Sequence, residues 1–98
     1  MAPVIQGDPN EEYIAIVNET VVLPCAANGI PPPTVSWRKN FVDFTPNGDG
    51  RFLFGDHGLT ISSVTTEDKA IYECIASNTG GEEVKVIVLV VQGQNPFL

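Results

Sequence analysis

Few residues in this chain could do chemistry. Two cysteines, Cys25 and Cys74, and one histidine, His57, are its soft ligands. A four-ligand zinc site needs more than these supply, so the thiols either pair or stand as small buried core residues. His57 lies beside Asp56, but nothing indicates a placed nucleophile or an oxyanion hole. Paired carboxylates for glycoside chemistry would need a cleft that a chain of 98 residues rarely offers. Two acidic groups invite a calcium reading: Asp8, Glu11 and Glu12, and Asp43, Asn47 and Asp49. The second lacks the closing glutamate of an EF-hand loop, position 54 being Phe54, and solvated loop acids account for both groups better. No catalytic residue, cofactor or metal is expected, and the chain reads as a non-enzyme. Asn18-Glu19-Thr20 is a sequon for N-glycosylation on an expected turn.

Composition narrows the alternatives. Hydrophobic residues make up 43%, enough to fold, and the length suits one small domain. Twelve acidic residues against five scattered basic ones give a formal charge of -7 and a pI near 4.3. Nucleic acid and anionic membrane surfaces are therefore excluded as partners, since both bind through cationic groups. The longest apolar run, Val86 to Val91, is far shorter than the roughly 20 residues of a membrane span. No apolar signal core follows Met1. Residues 1–2 are read as a start added ahead of the domain, 3–92 as the domain, and 93–98 as a linker remnant.

Short β-branched and aromatic runs, broken by Gly, Pro, Asn and Asp, predict strands near 3–6, 12–17, 20–27, 34–39, 51–54, 58–63, 70–77 and 83–92, with a short one near 41–44. No helix-period stretch of useful length interrupts them. This pattern is that of an all-β sandwich or barrel. Asn28 to Pro33 reads as a stiff loop, Pro46 to Gly50 as a flexible turn, and Asn78 to Gly81 as a hairpin turn. Side chains alternate across a strand, so taking Cys25, Trp37 and Cys74 as inward also places Val21, Leu23, Ala27, Val35, Tyr72 and Ala76 inside. Leu59 and Ile61 supply a matching pair.

The ordered set Cys25, Trp37, Leu59-Thr60-Ile61 and Asp68-Lys69-Ala70-Ile71-Tyr72-Glu73-Cys74 resembles the immunoglobulin intermediate (I-set) domain. The likeness covers roughly residues 3–92 and is greatest to the tandem domains of hemicentin-type matrix and adhesion proteins. It implies an all-β, immunoglobulin-like Greek-key sandwich with one inter-sheet disulfide, Cys25 to Cys74, packed on the indole of Trp37. Such a bridge closes a loop of about 50 residues and stabilises by roughly 4 kcal/mol in the chain-entropy model. The resemblance further implies that Tyr72 forms a tyrosine corner near Asp68, that Arg51 pairs with Asp68, and that all these residues are scaffold. With the implied disulfide, the sequon at Asn18 favours the secretory route.

Pro24 sits inside a strand that should be paired. It therefore predicts that the first strand leaves that sheet near Gly7-Asp8-Pro9 and crosses to the other. Asn40 to Phe44 replaces the small polar turn common after the tryptophan strand, and Phe41 and Phe44 are expected beside an outward face.

The last strand is apolar on both parities. With Ile87, Leu89 and Val91 inside, Val84, Val86, Val88 and Val90 point outward, beside Ile71 and Ile75 of the neighbouring strand. Contiguous apolar patches of this kind mark contact sites. The expected function is a non-catalytic extracellular interaction or adhesion module of a tandem multidomain protein, flanked by similar domains. Its contact with a protein partner, or its two-fold homodimerisation, would use the outward face of the sheet carrying the Trp37, Cys74 and last strands (C, F and G in the family's lettering). The alternative is a spacer module of a cytoplasmic muscle-type filament.

Overall fold

The computed structural model describes residues 1–45, 48 and 50–93. Pro46, Asn47 and Asp49 of the expected flexible turn, and residues 94–98 of the expected linker, lie outside the described residues.

The strands run in the order β1 (Val4–Ile5), β2 (Asn10–Ile16), β3 (Val21–Pro24), β4 (Ala27–Asn28), β5 (Thr34–Lys39), β6 (Val42–Asp43), β7 (Phe52–Gly55), β8 (Gly58–Ile61), β9 (Ala70–Asn78) and β10 (Gly81–Gln92). A 3-10 turn at Thr66–Asp68 joins β8 to β9, an element the strand pattern did not reveal. One sheet has the order β2-β10-β9-β5-β6 and the facing one β3-β8-β7. The pair β1-β4 extends the second sheet, because only Cys25 and Ala26 separate β3 from β4.

The expected break in the first strand is present. β1 pairs antiparallel with β4, and β2 then pairs in parallel with β10 over seven residues. Proline chemistry explains the crossing. Cys25 N–H donates to the His57 carbonyl on the β8 side at 2.8 Å, so the adjacent Pro24 nitrogen faces the opposite edge. With no N–H there, Pro24 offers nothing to a strand, and the chain turns away after Gln6. The expected strand 20–27 splits for the same reason, changing partner from β8 to β1.

Opposite Pro24 in the β3-β8 ladder stands Gly58 at φ +154°. A Cβ at this glycine would run into the Leu23 carbonyl, so only glycine lets the two strands close here. The β9-β10 hairpin is set by Asn78, whose side-chain oxygen accepts from Gly80 N–H at 2.7 Å.

The core lies between the sheets. Leu23, Cys25, Leu59, Ile61, Val64, Tyr72, Cys74, Ala76, Ile87 and Leu89 are wholly buried, and Trp37 nearly so. Alternation identified most of these positions. It missed Ile5 and Val64, which stand outside any long strand, and Ala15.

Candidate functional site

Two sites arise from this frame, one buried and one outward. The buried one is the bracing. Cys25 and Cys74 are bonded, with Cα atoms 6.5 Å apart, and join the two sheets. Trp37 is the cross-strand partner of Cys74 and is buried beside it.

At one end of the sandwich, Asp68 gathers three neighbours. Its carboxylate accepts two guanidinium bonds from Arg51, at 2.8 and 3.2 Å, and the Thr65 N–H at 2.8 Å. Its carbonyl accepts the Tyr72 hydroxyl at 2.7 Å. Arg51 also donates to the Ser62 and Ser63 carbonyls and lies over the Phe52 ring. Burial pushes the Asp68 carboxyl up, but Arg51 and the Thr65 amide outweigh it and hold it below its ordinary value. Burial, helped by the charge on Asp68, pushes the Tyr72 hydroxyl well up.

A second buried ion pair escaped sequence reasoning. Lys85 is only 2% exposed, and its ammonium meets the Glu11 carboxylate at 2.7 Å, with the Gln6 carbonyl at 3.5 Å. The pair sits where the chain crosses between sheets. Glu11 is therefore a paired strand residue rather than the solvated loop acid expected, and its carboxyl is lowered chiefly by the bond from Lys85. One signal was available: Lys85 shares parity with Ile87 and Leu89, so a charge stands among inward positions.

The outward site is the free face of the five-stranded sheet. Val84, Val86, Val88, Val90 and Ile71 are half-buried on it. The parallel register sets Val90 beside Ile14 and Gln92 beside Ile16, and these isoleucines are 59% and 37% exposed. Ile14 and Ile16 extend the face and were not anticipated, because the pairing of β2 with β10 could not be read from either strand alone.

Two expected members do not belong. Ile75 points to this side but is only 5% exposed, since it lies on the central strand between Val84 and Ser36. Phe44 turns inward. Its ring packs on Phe52, Phe54 and Tyr72 with centroids 5.1, 5.5 and 6.2 Å away, closing the edge of the core. Phe41 is exposed at the β5-β6 turn, where Asn40 and Phe41 both take left-handed φ, the geometry of a tight hairpin.

Asn18 is exposed in the turn after β2, with φ 76°, and its N–H donates to the Val64 carbonyl. His57 is exposed in the β7-β8 turn, at the rim of an open cleft of about 710 Å³ lined by Trp37, Phe44 and Phe54 among others. Among the described residues no group of three His, Cys, Asp or Glu is placed to hold a metal.

Two disulfide-joined sheets, an indole against the bridge and a tyrosine corner define an immunoglobulin-type sandwich. A family model described as "Immunoglobulin domain" matches residues 2–78, and the chain belongs to that family. It is 37% identical over 90 residues to human (Homo sapiens) hemicentin-1, covering 92% of this chain but 2% of that protein. It is 42% identical over 71 residues to Bos taurus neural cell adhesion molecule 1, covering 70% and 8% respectively. The chain thus spans only a small fraction of the relatives it matches. Among solved structures, the tandem Ig repeats of Dlar superpose with a TM-score of 0.81 at 33% identity, over 94% of this chain and 49% of that one. One chain of the titin M10–obscurin-like 1 Ig complex superposes with a TM-score of 0.84 over 96% of this chain and 97% of that one. Its identity is 24%, so that likeness is one of fold alone.

Proposed function

We propose that this domain is an extracellular adhesion module of a larger multidomain protein, and that it binds a protein partner through the outward face of β2, β10 and β9. The apolar row carries the reading. Ile14 and Ile16 are exposed, and Val86, Val88, Val90 and Ile71 partly so, on one sheet surface. Covering what remains exposed of each contributes a fraction of the roughly 1.5–3 kcal/mol of a full burial, so the whole row, not one or two of its members, would drive association. The relative named as a cell adhesion molecule supports the role. The disulfide supports an oxidising compartment. The spacer reading, by contrast, rests on a likeness of fold to structures such as titin domain M7, at 22% identity.

The domain acts by holding this face rigidly and needs no chemistry of its own. Cells expressing the partner should attach to a surface coated with the domain and fail to attach to the Val86→Asp/Val88→Asp variant. Equal attachment to both sinks the reading. Sedimentation across a concentration series tells whether the partner is a second copy. Asn18 is proposed as a glycan site, because its turn is exposed and lies at the end of β2. Material secreted from eukaryotic cells should lose mass on treatment with an N-glycosidase, and Asn18→Gln should abolish that loss.

A further inference from the structure

The charges set among the apolar residues of the outward face say more about what it binds. Cross-strand register orders them in rows. Glu12 neighbours Val88, which neighbours Ile71. Next comes Asn10, Val86, Glu73, Arg38 and Asp43, one residue from each of the five strands. Glu82 beside Ser77 ends the face. Four carboxylates thus share this side with Arg38, and Lys69 lies at the far margin.

Arg38 sits between Glu73 and Asp43 and pairs with Asp43, at 3.7 Å. Glu73, at the centre of the face, is partly exposed, and its Oε1 is buried with no hydrogen-bond partner among the described residues. That oxygen is closed to a partner's donor, but a cation placed at the part of the side chain still open to water would stabilise the carboxylate as a whole. Near Glu73, Ile71 and Val88 border a shallow hollow of about 260 Å³ that also touches Asn40 and Lys69, room for one apolar side chain.

We infer that the face docks a different protein, one presenting an apolar surface that carries lysine or arginine, with one cation reaching Glu73. This rests on the contact reading above and narrows it. A second copy of this chain is the poorer fit: an isologous contact would press two unneutralised Glu73 groups and two acidic margins together.

The test uses three short peptides as probes, in which leucine alternates with lysine, with glutamine or with glutamate. Their binding to the isotope-labelled domain is mapped by amide shifts in NMR. The lysine peptide should move the amides of Ile14, Ile71, Glu73 and Val84–Val90, and bind about tenfold more tightly than the glutamine peptide, since lysine brings a net positive charge to the carboxylate and a neutral amide does not. Glu73→Gln, checked by its melting curve, should erase most of that preference while leaving the glutamine peptide's affinity unchanged.

Equal binding of the lysine and glutamine peptides on this face overturns the charge inference but leaves the contact reading standing. A lysine preference that survives Glu73→Gln overturns it too, since the overall charge of -7 would then explain it. Shifts that fall elsewhere for all three peptides sink both claims. Self-association through this face in the unliganded domain overturns the heterologous partner.

Discussion

The two buried ion pairs are mirror images of each other. In the Arg51–Asp68 corner the buried partner is the acid: the Asp68 side chain is 2% exposed and that of Arg51 31%. At the strand crossing the buried partner is the base: the Lys85 side chain is 3% exposed and that of Glu11 22%. Their settings also differ. Asp68 is held by Arg51, by the Thr65 amide and, through its carbonyl, by Tyr72. Lys85 has one carboxylate and one distant carbonyl. The contrast teaches that in such a pair the more exposed residue is the dangerous one to delete. Removing it strands a charge that water cannot reach.

That asymmetry gives the largest expected effects. Arg51→Ala and Glu11→Ala should each destabilise by about 3–5 kcal/mol in chemical denaturation, because each leaves a buried charge uncompensated. The buried-side variants Asp68→Asn and Lys85→Met should each cost less than their partners' replacement, and least at the crossing, where Glu11 can turn to solvent. If Lys85→Met costs more than Glu11→Ala, the contrast between the two pairs is wrong.

The corner was legible in the sequence and the crossing was not, for a physical reason. Asp68, Tyr72 and Cys74 fall within one short motif that carries the family resemblance, and that resemblance implied both the corner and its Arg51 partner. Lys85 and Glu11 meet only because β2 lies parallel to β10, a register set by tertiary packing. Pro24 told where the first strand must leave its sheet, but not which charges the crossing would enclose. Ile75 and Phe44 failed for related reasons. Alternation gives the direction of a side chain, and the exposure of Ile75 depends on neighbours from two other strands. Phe44 follows a two-residue strand, after which parity no longer constrains it, and the aromatic rings of β7 draw it inward. The outward valines were readable because β10 is long and regular; Ile14 and Ile16 needed the unreadable β2 register.

A double replacement sharpens the contrast at a smaller scale. Glu11→Leu/Lys85→Met removes both charges at the crossing and leaves only apolar atoms. It should fall within about 1 kcal/mol of the parent, since a buried pair barely offsets its own desolvation. The matching change at the corner, Arg51→Met/Asp68→Leu, should remain clearly destabilising, because it also frees the Thr65 amide and the Ser62 and Ser63 carbonyls. Tyr72→Phe tests the same corner more gently. It deletes one buried hydroxyl bond and should cost about 1 kcal/mol. The raised hydroxyl of Tyr72 contributes stability that is whole below the ordinary tyrosine value of 10.0 and fades above it, so Tyr72→Phe should also flatten the alkaline fall in melting temperature.

The smallest effect separates the pairs by pH alone. Both carboxyls are lowered in the fold, so each contributes stability that is complete above its ordinary value and lost as pH falls through the lowered one. The ordinary values are 4.5 for Glu11 and 3.8 for Asp68, so on acidification the crossing begins to weaken first. Amide exchange followed by NMR between pH 5 and 3 should show this order (a window set by about one unit either side of those values). The β2 amides paired to β10 should lose protection before the Thr65 amide does. Glu11→Gln should remove the earlier step and leave the later one. Simultaneous loss of both would mean that the domain opens as one unit in acid, and that the two ends do not differ in the way their burial implies.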